Sequence, residues 1–176
     1  EEHALKELKN FITNDIENYS EGRNFPYTSG TSKLSPYIKH GQIHVETIWE
    51  ECFKIKNRGV GKFLAEIGWR EFNHSLINHF PHMLRGNYSK KFDKFPWKKN
   101  LKFLTAWKKG LTGYPIVDAG MRELYSTGWM HNRVRMIVGS FLVKHLLINW
   151  VEGEKYFKSC LLDYNEANNV SGWQWV

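Results

Sequence analysis

The chain is poor in cysteine and has no long apolar run. Cys52 and Cys160 are the only cysteines in 176 residues. Two thiols so far apart argue against a disulfide framework and a zinc ribbon, and they suit a reducing cytoplasm. No apolar stretch approaches the length of a membrane span, and the charged start of the sequence does not resemble a signal peptide. We therefore expect a cytoplasmic protein that does not enter the membrane.

Common catalytic and metal-binding fingerprints are missing as well. The sequence has no P-loop and no Gly-x-Ser-x-Gly elbow, so standard hydrolases and nucleotidases lose support. The Gly-Val-Gly segment at residues 59–61 lacks the third glycine of a dinucleotide fingerprint and predicts a turn. Two histidine pairs come without an evident third ligand, so no metal site is expected: His40 with His44, and His79 with His82.

Positive charge and tryptophan are what the chain has in excess. The formal net charge is +7, and residues 90–109 supply all of it, with eight lysines against the single Asp93. Clustered lysines indicate a polyanionic partner such as nucleic acid, although a solvated lysine-rich loop has the same composition. The chain also contains eight tryptophans, whose rings commonly serve as core or surface anchors.

The spacing of apolar residues predicts an all-α protein of one domain. Leu5, Leu8, Ile12 and Ile16 recur at helical spacing and predict an amphipathic helix, followed by a loop at residues 20–24. No stretch alternates as a strand does. Further helices are predicted over residues 60–80, 101–109, 115–126, 132–148 and 152–162. A long basic loop is predicted between the first and the second of these helices.

Two local patterns allow either a structural or a functional interpretation. Ser35 before Pro36 predicts a helix N-cap, which is an ordinary cap or a seat for an anion. Glu66, Trp69 and Arg70 share one helix face with Asn73, at i, i+3, i+4 and i+7. A solvent-facing Glu–Arg pair explains that face without any ligand.

Four longer motifs together resemble the photolyase and cryptochrome family in order and spacing, over the region from Tyr19 to Trp175. They are residues 31–37 (TSKLSPY), 67–72 (IGWREF), 107–119 (WKKGLTGYPIVDA) and 127–133 (TGWMHNR). The resemblance implies a helical bundle that holds FAD. It also implies that residues 1–176 are its FAD-binding domain, lacking the α/β antenna domain before it and the segment that closes the flavin site after it.

The same resemblance implies a set of cofactor-binding residues, with the turn at residues 31–35 at the pyrophosphate. They are Tyr19, Thr31, Ser32, Lys33, Leu34, Ser35, Arg70, Arg135, Asp163, Asn165 and Asn169. Asn165 departs from the family, because a second aspartate is typical there, and Val170–Ser171 stand where Asn-Gly is common. An amide keeps hydrogen bonding but has no charge, so we expect flavin binding to be kept and its redox potential to differ.

The tryptophans divide by role under this resemblance. Trp97, Trp150 and Trp173 match the relay that passes electrons to the flavin, and each alone could be a core aromatic. Trp69 and Trp175 match the rings that bracket an extruded pyrimidine dimer. Asn169 would lie near flavin N5, and Glu66 would hydrogen-bond the pyrimidine. The implied DNA-binding set, facing the pocket rim and phosphates, is Arg23, Glu66, Trp69, Asn73, Asn132, Arg133 and Trp175.

The function implied is repair of cyclobutane pyrimidine dimers by a class I enzyme. Excited reduced FAD donates an electron, the ring splits and the electron returns, which makes the enzyme a carbon–carbon lyase. Asn132 and Asn169 favour this class over the (6-4) photolyases and the cryptochromes. A cryptochrome-like photoreceptor without repair activity is the alternative, and a flavin-free DNA-binding domain would rest on charge alone. We expect a monomer that binds dimer-containing DNA.

Overall fold

The computed structural model describes residues Glu1–Val176 and contains helices and turns but no strand. The all-α prediction is confirmed. The helices, in chain order from α1 to α10, are Glu2–Asn14, Tyr19–Gly22, Ser35–Lys39, Val45–Phe53, Val60–His79, Leu101–Lys109, Pro115–Thr127, Asn132–Ser140, Trp150–Cys160 and Glu166–Trp175. None of them combines the length and the apolar character needed to cross a bilayer.

Two compact units make up the chain, Glu1–Phe72 and Asn73–Val176. The first has a core of aliphatic side chains around three aromatic rings. Phe11 and Phe63 lie 4.7 Å apart between ring centroids, and Tyr19 meets Phe63 edge-on at 5.2 Å. Such tilted and edge-on pairs are the favoured arrangements of aromatic rings. This core fixes Tyr19 in the interior of its unit.

The core of the second unit is built on indoles. Trp107 is fully buried, and its Nε1 donates to the carbonyl of Val138 at 3.0 Å. Trp150 and Trp173 are buried in the same hydrophobic cluster, and Trp97 packs against it. A buried indole contributes a large apolar area but requires a partner for its N–H, so these rings constrain the backbone around them.

Glycine, proline and asparagine set the helix ends that the sequence predicted well. The α6 helix begins after Asn100, whose side chain accepts from the N–H of Phe103 at 3.0 Å, and it ends at Gly110 with φ +61°. A Cβ at Gly110 would meet the carbonyl oxygen of Asp118 at 2.6 Å, so glycine is required there. Pro115 opens α7 and Gly128 closes it. The predicted bounds of α6 and α7 are therefore close to those observed.

Other predicted bounds were wrong. The helix expected over residues 132–148 changes to a π turn at Phe141–His145 and ends there. Leu147 then takes φ +55°, and its carbonyl accepts from Lys98 at 2.7 Å. Ser35 is the first residue of α3 rather than its N-cap, because Leu34 before it already has helical dihedrals. The α4 and α10 helices were not predicted at all.

Candidate functional site

An ion pair with one deeply buried partner belongs to the predicted cofactor set of the second unit. Arg135 on α8 donates from Nη2 to Asp163 Oδ2 at 2.8 Å and from Nε to the carbonyl of Met130 at 2.8 Å. Only 3% of the Asp163 side chain is exposed, against 26% for Arg135. Two hydrogen bonds fix the guanidinium plane, so the pair presents a rigid charged frame.

Asn165 is held by neighbouring polar side chains rather than by a charge. Its Oδ1 caps α10 by accepting from the N–H of Asn168 at 3.0 Å, and its Nδ2 lies 3.1 Å from His74 Nε2. Asn168 in turn accepts from Asn73 Nδ2 at 2.8 Å. Asn73, which the sequence assigned to DNA contact, is therefore half-buried and engaged in this network. Its proposed contact with DNA gains no support from this placement.

Asn169 is held by a second hydrogen-bonded group. Its Nδ2 donates to Glu154 Oε1 at 3.3 Å, and the hydroxyl of Tyr164 donates to the same oxygen at 2.7 Å. Sequence reasoning missed Glu154 and Tyr164. The only signals available were that Glu154 follows Trp150 by one helical turn and that Tyr164 separates Asp163 from Asn165.

The three predicted relay tryptophans belong to one hydrophobic cluster. Trp173 lies edge-on to Phe157 at 5.0 Å and to Trp107 at 6.2 Å. Trp150 donates from its indole N–H to Asn87 Oδ1 at 2.9 Å. Trp97 is half-buried, with the ring of Phe95 at 4.3 Å. The structure brings these rings into one core, which is compatible with either a relay or plain packing.

Gln174 anchors α10 to the segment that follows α5. Its Nε2 donates to the carbonyls of Met83 and Gly86 at 3.0 and 3.2 Å, and its Oε1 accepts from the N–H of Tyr88 at 2.5 Å. The two neighbouring indoles differ in exposure, at 5% for Trp173 and 74% for Trp175. Trp173, before this anchor, therefore faces the core, and Trp175, after it, faces the solvent.

In the first unit the predicted phosphate turn is short and irregular. Ser32 Oγ accepts from the N–H of Leu34 at 3.4 Å, and Lys33 has φ +51°. Leu34 is buried, whereas Lys33 and Ser35 are exposed and Thr31 is half-buried. The buried Leu34 therefore anchors this turn, and Lys33 and Ser35 on either side of it face the solvent.

Glu66 forms ion pairs that the sequence did not predict. Its carboxylate pairs with Arg23 and, at 3.2 Å, with Lys62. Arg23 is only 8% exposed, so its predicted place at the pocket rim gains no support from its burial. A buried guanidinium needs a counter-charge, and Glu66 provides it. Arg70 pairs with the adjacent Glu71 instead, so the simple Glu66–Arg70 surface pair is not formed either.

The remaining residues of the predicted DNA-contact set are largely accessible. Trp69 is 57% exposed and meets Phe72 edge-on at 5.5 Å. Asn132 is exposed and Arg133 half-buried at the start of α8. The lysines of residues 90–109 are exposed except Lys108, which is half-buried. The structure groups no three His, Cys, Asp or Glu side chains at a place that could hold a metal.

The side chains of the second unit fit a polar aromatic cofactor. Arg135 and Asp163 offer opposite charges, and Asn165 and Asn169 offer amides, which together can meet the donors and acceptors of a flavin edge. Ser171 Oγ and Trp173 Nε1 are buried and have no hydrogen-bond partner within the chain. Buried polar atoms without partners call for an explanation, and a polar ligand is one.

Comparison with known proteins gives the family. Residues 63–176 match the family model described as the FAD binding domain of DNA photolyase. The chain belongs to this family. FAD is the cofactor of the domain so described, in agreement with the cofactor prediction. The roles of individual residues stay predictions.

Relatives are similar along nearly the whole chain. The identity is 47% to the deoxyribodipyrimidine photo-lyase of Agrobacterium fabrum, over 98% of this chain and 37% of that protein. It is 44% to the Escherichia coli enzyme of the same name, over 100% of this chain and 39% of that protein. The chain therefore spans little more than a third of the length of these relatives.

Solved structures agree in fold. A bacterial class III photolyase from Agrobacterium tumefaciens superposes with a TM-score of 0.94 and 46% identity, covering 98% of this chain and 36% of that one. A Synechocystis cryptochrome superposes with a TM-score of 0.92 and 32% identity, covering 98% and 38%. Because one relative is a class III photolyase, the class I assignment stays a prediction.

Proposed function

We propose that the chain is the FAD-binding part of an enzyme that uses light to split cyclobutane pyrimidine dimers in DNA. The observation that carries this proposal is the contrast within α10, where Trp173 is buried and Trp175 is 74% exposed. An inner indole suits electron transfer within the protein, and an outer indole suits contact with a base. The photo-lyase names of relatives at 47% and 44% identity support the same reaction class.

In this proposal the second unit holds the cofactor and Arg135, Asp163, Asn165 and Asn169 orient it. Bound FAD supplies light absorption and one-electron chemistry. The Arg135 guanidinium offers positive charge to an anionic flavin edge, while Asp163 keeps that guanidinium in place at 2.8 Å. Trp173 excludes water on the core side. Tyr19, Arg70 and the turn at residues 31–35, which lie in the first unit, also belong to the proposed cofactor-binding set.

DNA would be held by charge and by stacking. The lysines of residues 90–109 contact phosphates, which gives affinity without sequence preference. Trp69 and Trp175 provide flat apolar surfaces for the extruded dimer, which pairs poorly and is therefore cheaper to extrude than a normal pair. Glu66 reaches the pyrimidine edge only if the lesion competes with Arg23 and Lys62 for its carboxylate.

The compartment and assembly state belong to the proposal as well. Both cysteines are free thiols, and burial raises the pKa of Cys52 to about 11. A thiol that stays protonated is poorly nucleophilic, and the presence of free thiols without a disulfide suits a protein of the reducing cytoplasm. We expect the protein to act as a monomer without a metal ion.

The experiment compares two exposed tryptophans of the first unit, Trp69 at 57% and Trp49 at 42% exposure. Trp69→Ala should weaken binding to a thymine-dimer oligonucleotide about fivefold or more, because stacking on one ring contributes about 1–3 kcal/mol. Trp49→Ala should bind as the unchanged protein does.

Repair under blue light, measured with reduced FAD bound and with a dark control, completes the test. Loss of dimers in the light supports the repair function. Equal binding to damaged and undamaged DNA together with no loss of dimers would support the cryptochrome-like photoreceptor instead. An absorption spectrum without flavin after gentle purification would leave only the flavin-free DNA-binding domain.

A further inference from the structure

Tyr164 and Asn169 meet on one carboxylate oxygen. Tyr164 lies in the turn between α9 and α10, and its hydroxyl donates to Glu154 Oε1 at 2.7 Å. The amide of Asn169 donates to the same oxygen at 3.3 Å. The phenol bond is the shorter of the two, as is usual for an O–H donor to an anion. Glu154 therefore links Tyr164 to an α10 residue of the predicted cofactor set.

The Tyr164 ring is fixed independently of its hydroxyl. It packs half-buried against the hydrophobic core, and the Lys158 ammonium lies 5.4 Å from the ring centroid. Burial, and after it the bond to Glu154, raises the pKa of the phenol well above its ordinary value. The hydroxyl therefore stays protonated and remains a donor throughout the neutral range. In the structure this donor lies 2.7 Å from Glu154 Oε1.

An asparagine amide has two chemically different ends, so its orientation matters for any ligand. The NH₂ end donates and the carbonyl end accepts. In the structure the NH₂ end of Asn169 is engaged by Glu154. A cofactor that approaches Asn169 from the side opposite Glu154 would then meet the acceptor end. Were Glu154 free to turn away, the amide could rotate and present a donor instead.

We propose that Tyr164 is a positioning residue for Asn169: its hydroxyl holds the Glu154 carboxylate, and the carboxylate fixes which end of the amide faces the cofactor. The proposal rests on the proposed function for the contact between Asn169 and FAD. The hydrogen-bonded chain itself is a property of the second unit, because all three residues lie within it. The hydrogen-bonded chain and the contact between Asn169 and FAD can therefore be tested separately.

The first test follows the side-chain amide of Asn169 by two-dimensional ¹H–¹⁵N NMR without flavin, with Asn169→Asp assigning its signal. Tyr164→Phe removes only the hydroxyl and should shift this signal and accelerate its exchange with solvent several-fold. Tyr156→Phe is the matched control, because that hydroxyl donates to the carbonyl of Lys108 at 2.9 Å and its pKa is likewise raised by burial, to about 12. It should leave the signal in place.

Glu154→Gln provides a second route if Tyr164→Phe does not fold. It keeps the shape of the side chain while removing its charge, and it should shift the Asn169 signal with the Tyr164 ring intact. The proposal is overturned if the Asn169 signal stays in place in folded Tyr164→Phe or in folded Glu154→Gln. It is also overturned if Tyr156→Phe shifts this signal equally. Thermal melting of each variant checks that the shift does not reflect partial unfolding.

The second test measures the midpoint reduction potential of bound FAD. Tyr164→Phe should shift the potential, whereas Tyr156→Phe should not, because only the former changes the orientation of the Asn169 amide. An unmoved potential in Tyr164→Phe overturns the proposal. Failure of the chain to bind FAD at all would defeat the proposed function instead, and the NMR result would still decide whether Tyr164 positions Asn169.

Discussion

The two units of the chain differ in where they keep their polar and aromatic side chains. Of the five buried polar or charged residues, only Arg23 lies in the first unit, while Asp118, His131, Asp163 and Ser171 lie in the second. The buried tryptophans all belong to the second unit too. The core of the second unit therefore contains polar side chains and tryptophans, whereas these residue types are mostly exposed in the first unit.

Both units bury some members of the predicted binding and relay sets: Tyr19, Arg23 and Leu34 in the first, and Asp163 and Trp173 in the second. In the first unit an aliphatic and phenylalanine core holds the fold, and exposed residues such as Trp69 are available for contact. In the second unit Asp163 is buried beside the half-buried Arg135, and Trp173 belongs to the hydrophobic core. Substitutions of the buried members of these sets should therefore disturb folding and binding together.

The largest expected effect contrasts one ion pair from each unit. Arg135→Ala should lower the free energy of unfolding by about 3–5 kcal/mol, because it removes the guanidinium from the buried Asp163 carboxylate. Arg70→Ala should cost below about 1 kcal/mol, because its partner Glu71 is 54% exposed. Denaturation in urea measures both. Similar losses in the two variants would mean that the units do not differ in this way.

An intermediate effect concerns Asp118, whose carboxylate accepts from the backbone N–H groups of Thr112 and Gly113 at 2.8 and 2.9 Å. Burial alone would raise its pKa, but these bonds, that from the Thr112 hydroxyl and the charge of Arg122 outweigh burial, and the pKa is lowered. The stabilisation is therefore complete above the ordinary aspartate pKa and is lost as the pH falls through the lowered one.

Asp118→Asn should cost about 1–3 kcal/mol at neutral pH, and the difference from the unchanged protein should shrink in acid. Unfolding measured from neutral to strongly acidic pH tests this. Asp93→Asn is the control on an exposed carboxylate of the same unit, and it should stay within about 0.5 kcal/mol at every pH. A cost for Asp118→Asn that does not vary with pH would contradict the lowered pKa of Asp118.

The smallest effect on stability, and the sharpest on function, is expected in α10. Trp175→Ala should change stability by less than about 0.5 kcal/mol, because the side chain is 74% exposed, yet it should abolish preference for dimer-containing DNA. Trp173→Phe should slow flavin photoreduction while binding to the dimer is kept. Binding assays and photoreduction kinetics on both variants decide the matter. If both changes act alike, the two indoles do not divide the work.

Sequence patterns predicted the parts of the fold that local chemistry determines. The α6 and α7 helices are bounded by Asn100, Gly110, Pro115 and Gly128, each of which has a backbone or capping preference of its own. The four family motifs predicted the cofactor in the same manner, because each is readable within a few residues. The bounds of these two helices and the family of the chain could therefore be predicted from short segments of the sequence.

Features that depend on distant partners could not be predicted. The α10 helix contains asparagine, serine, valine and glycine, which are weak helix formers, and it is stabilised by the Asn165 cap and by burial of Val170 and Trp173. Its sequence therefore resembles a loop. Likewise Arg23 finds Glu66 43 positions along the chain, and no local pattern reveals such a pair.

The α4 helix is a different matter, because its signal was present and was missed. Ile48 and Cys52 are buried and four residues apart, and His44 precedes the helix as its N-cap. An i, i+4 apolar pair after a polar cap is an acceptable helix signal, although it is a short one. This helix could therefore have been predicted from the sequence.

The alternation of Trp173, Gln174 and Trp175 has a consequence for how this domain can vary in length. Successive helical residues turn by about 100°, so the two indoles point about 200° apart around the helix axis. Inserting or deleting one residue between Glu166 and Gln174 would rotate everything after it and bring the solvent-facing indole toward the core. Gln174 would lose its three partners on the segment from Met83 to Tyr88 at the same time. A change in the length of α10 should therefore disturb the fold more than a substitution at an exposed position such as Trp175 does.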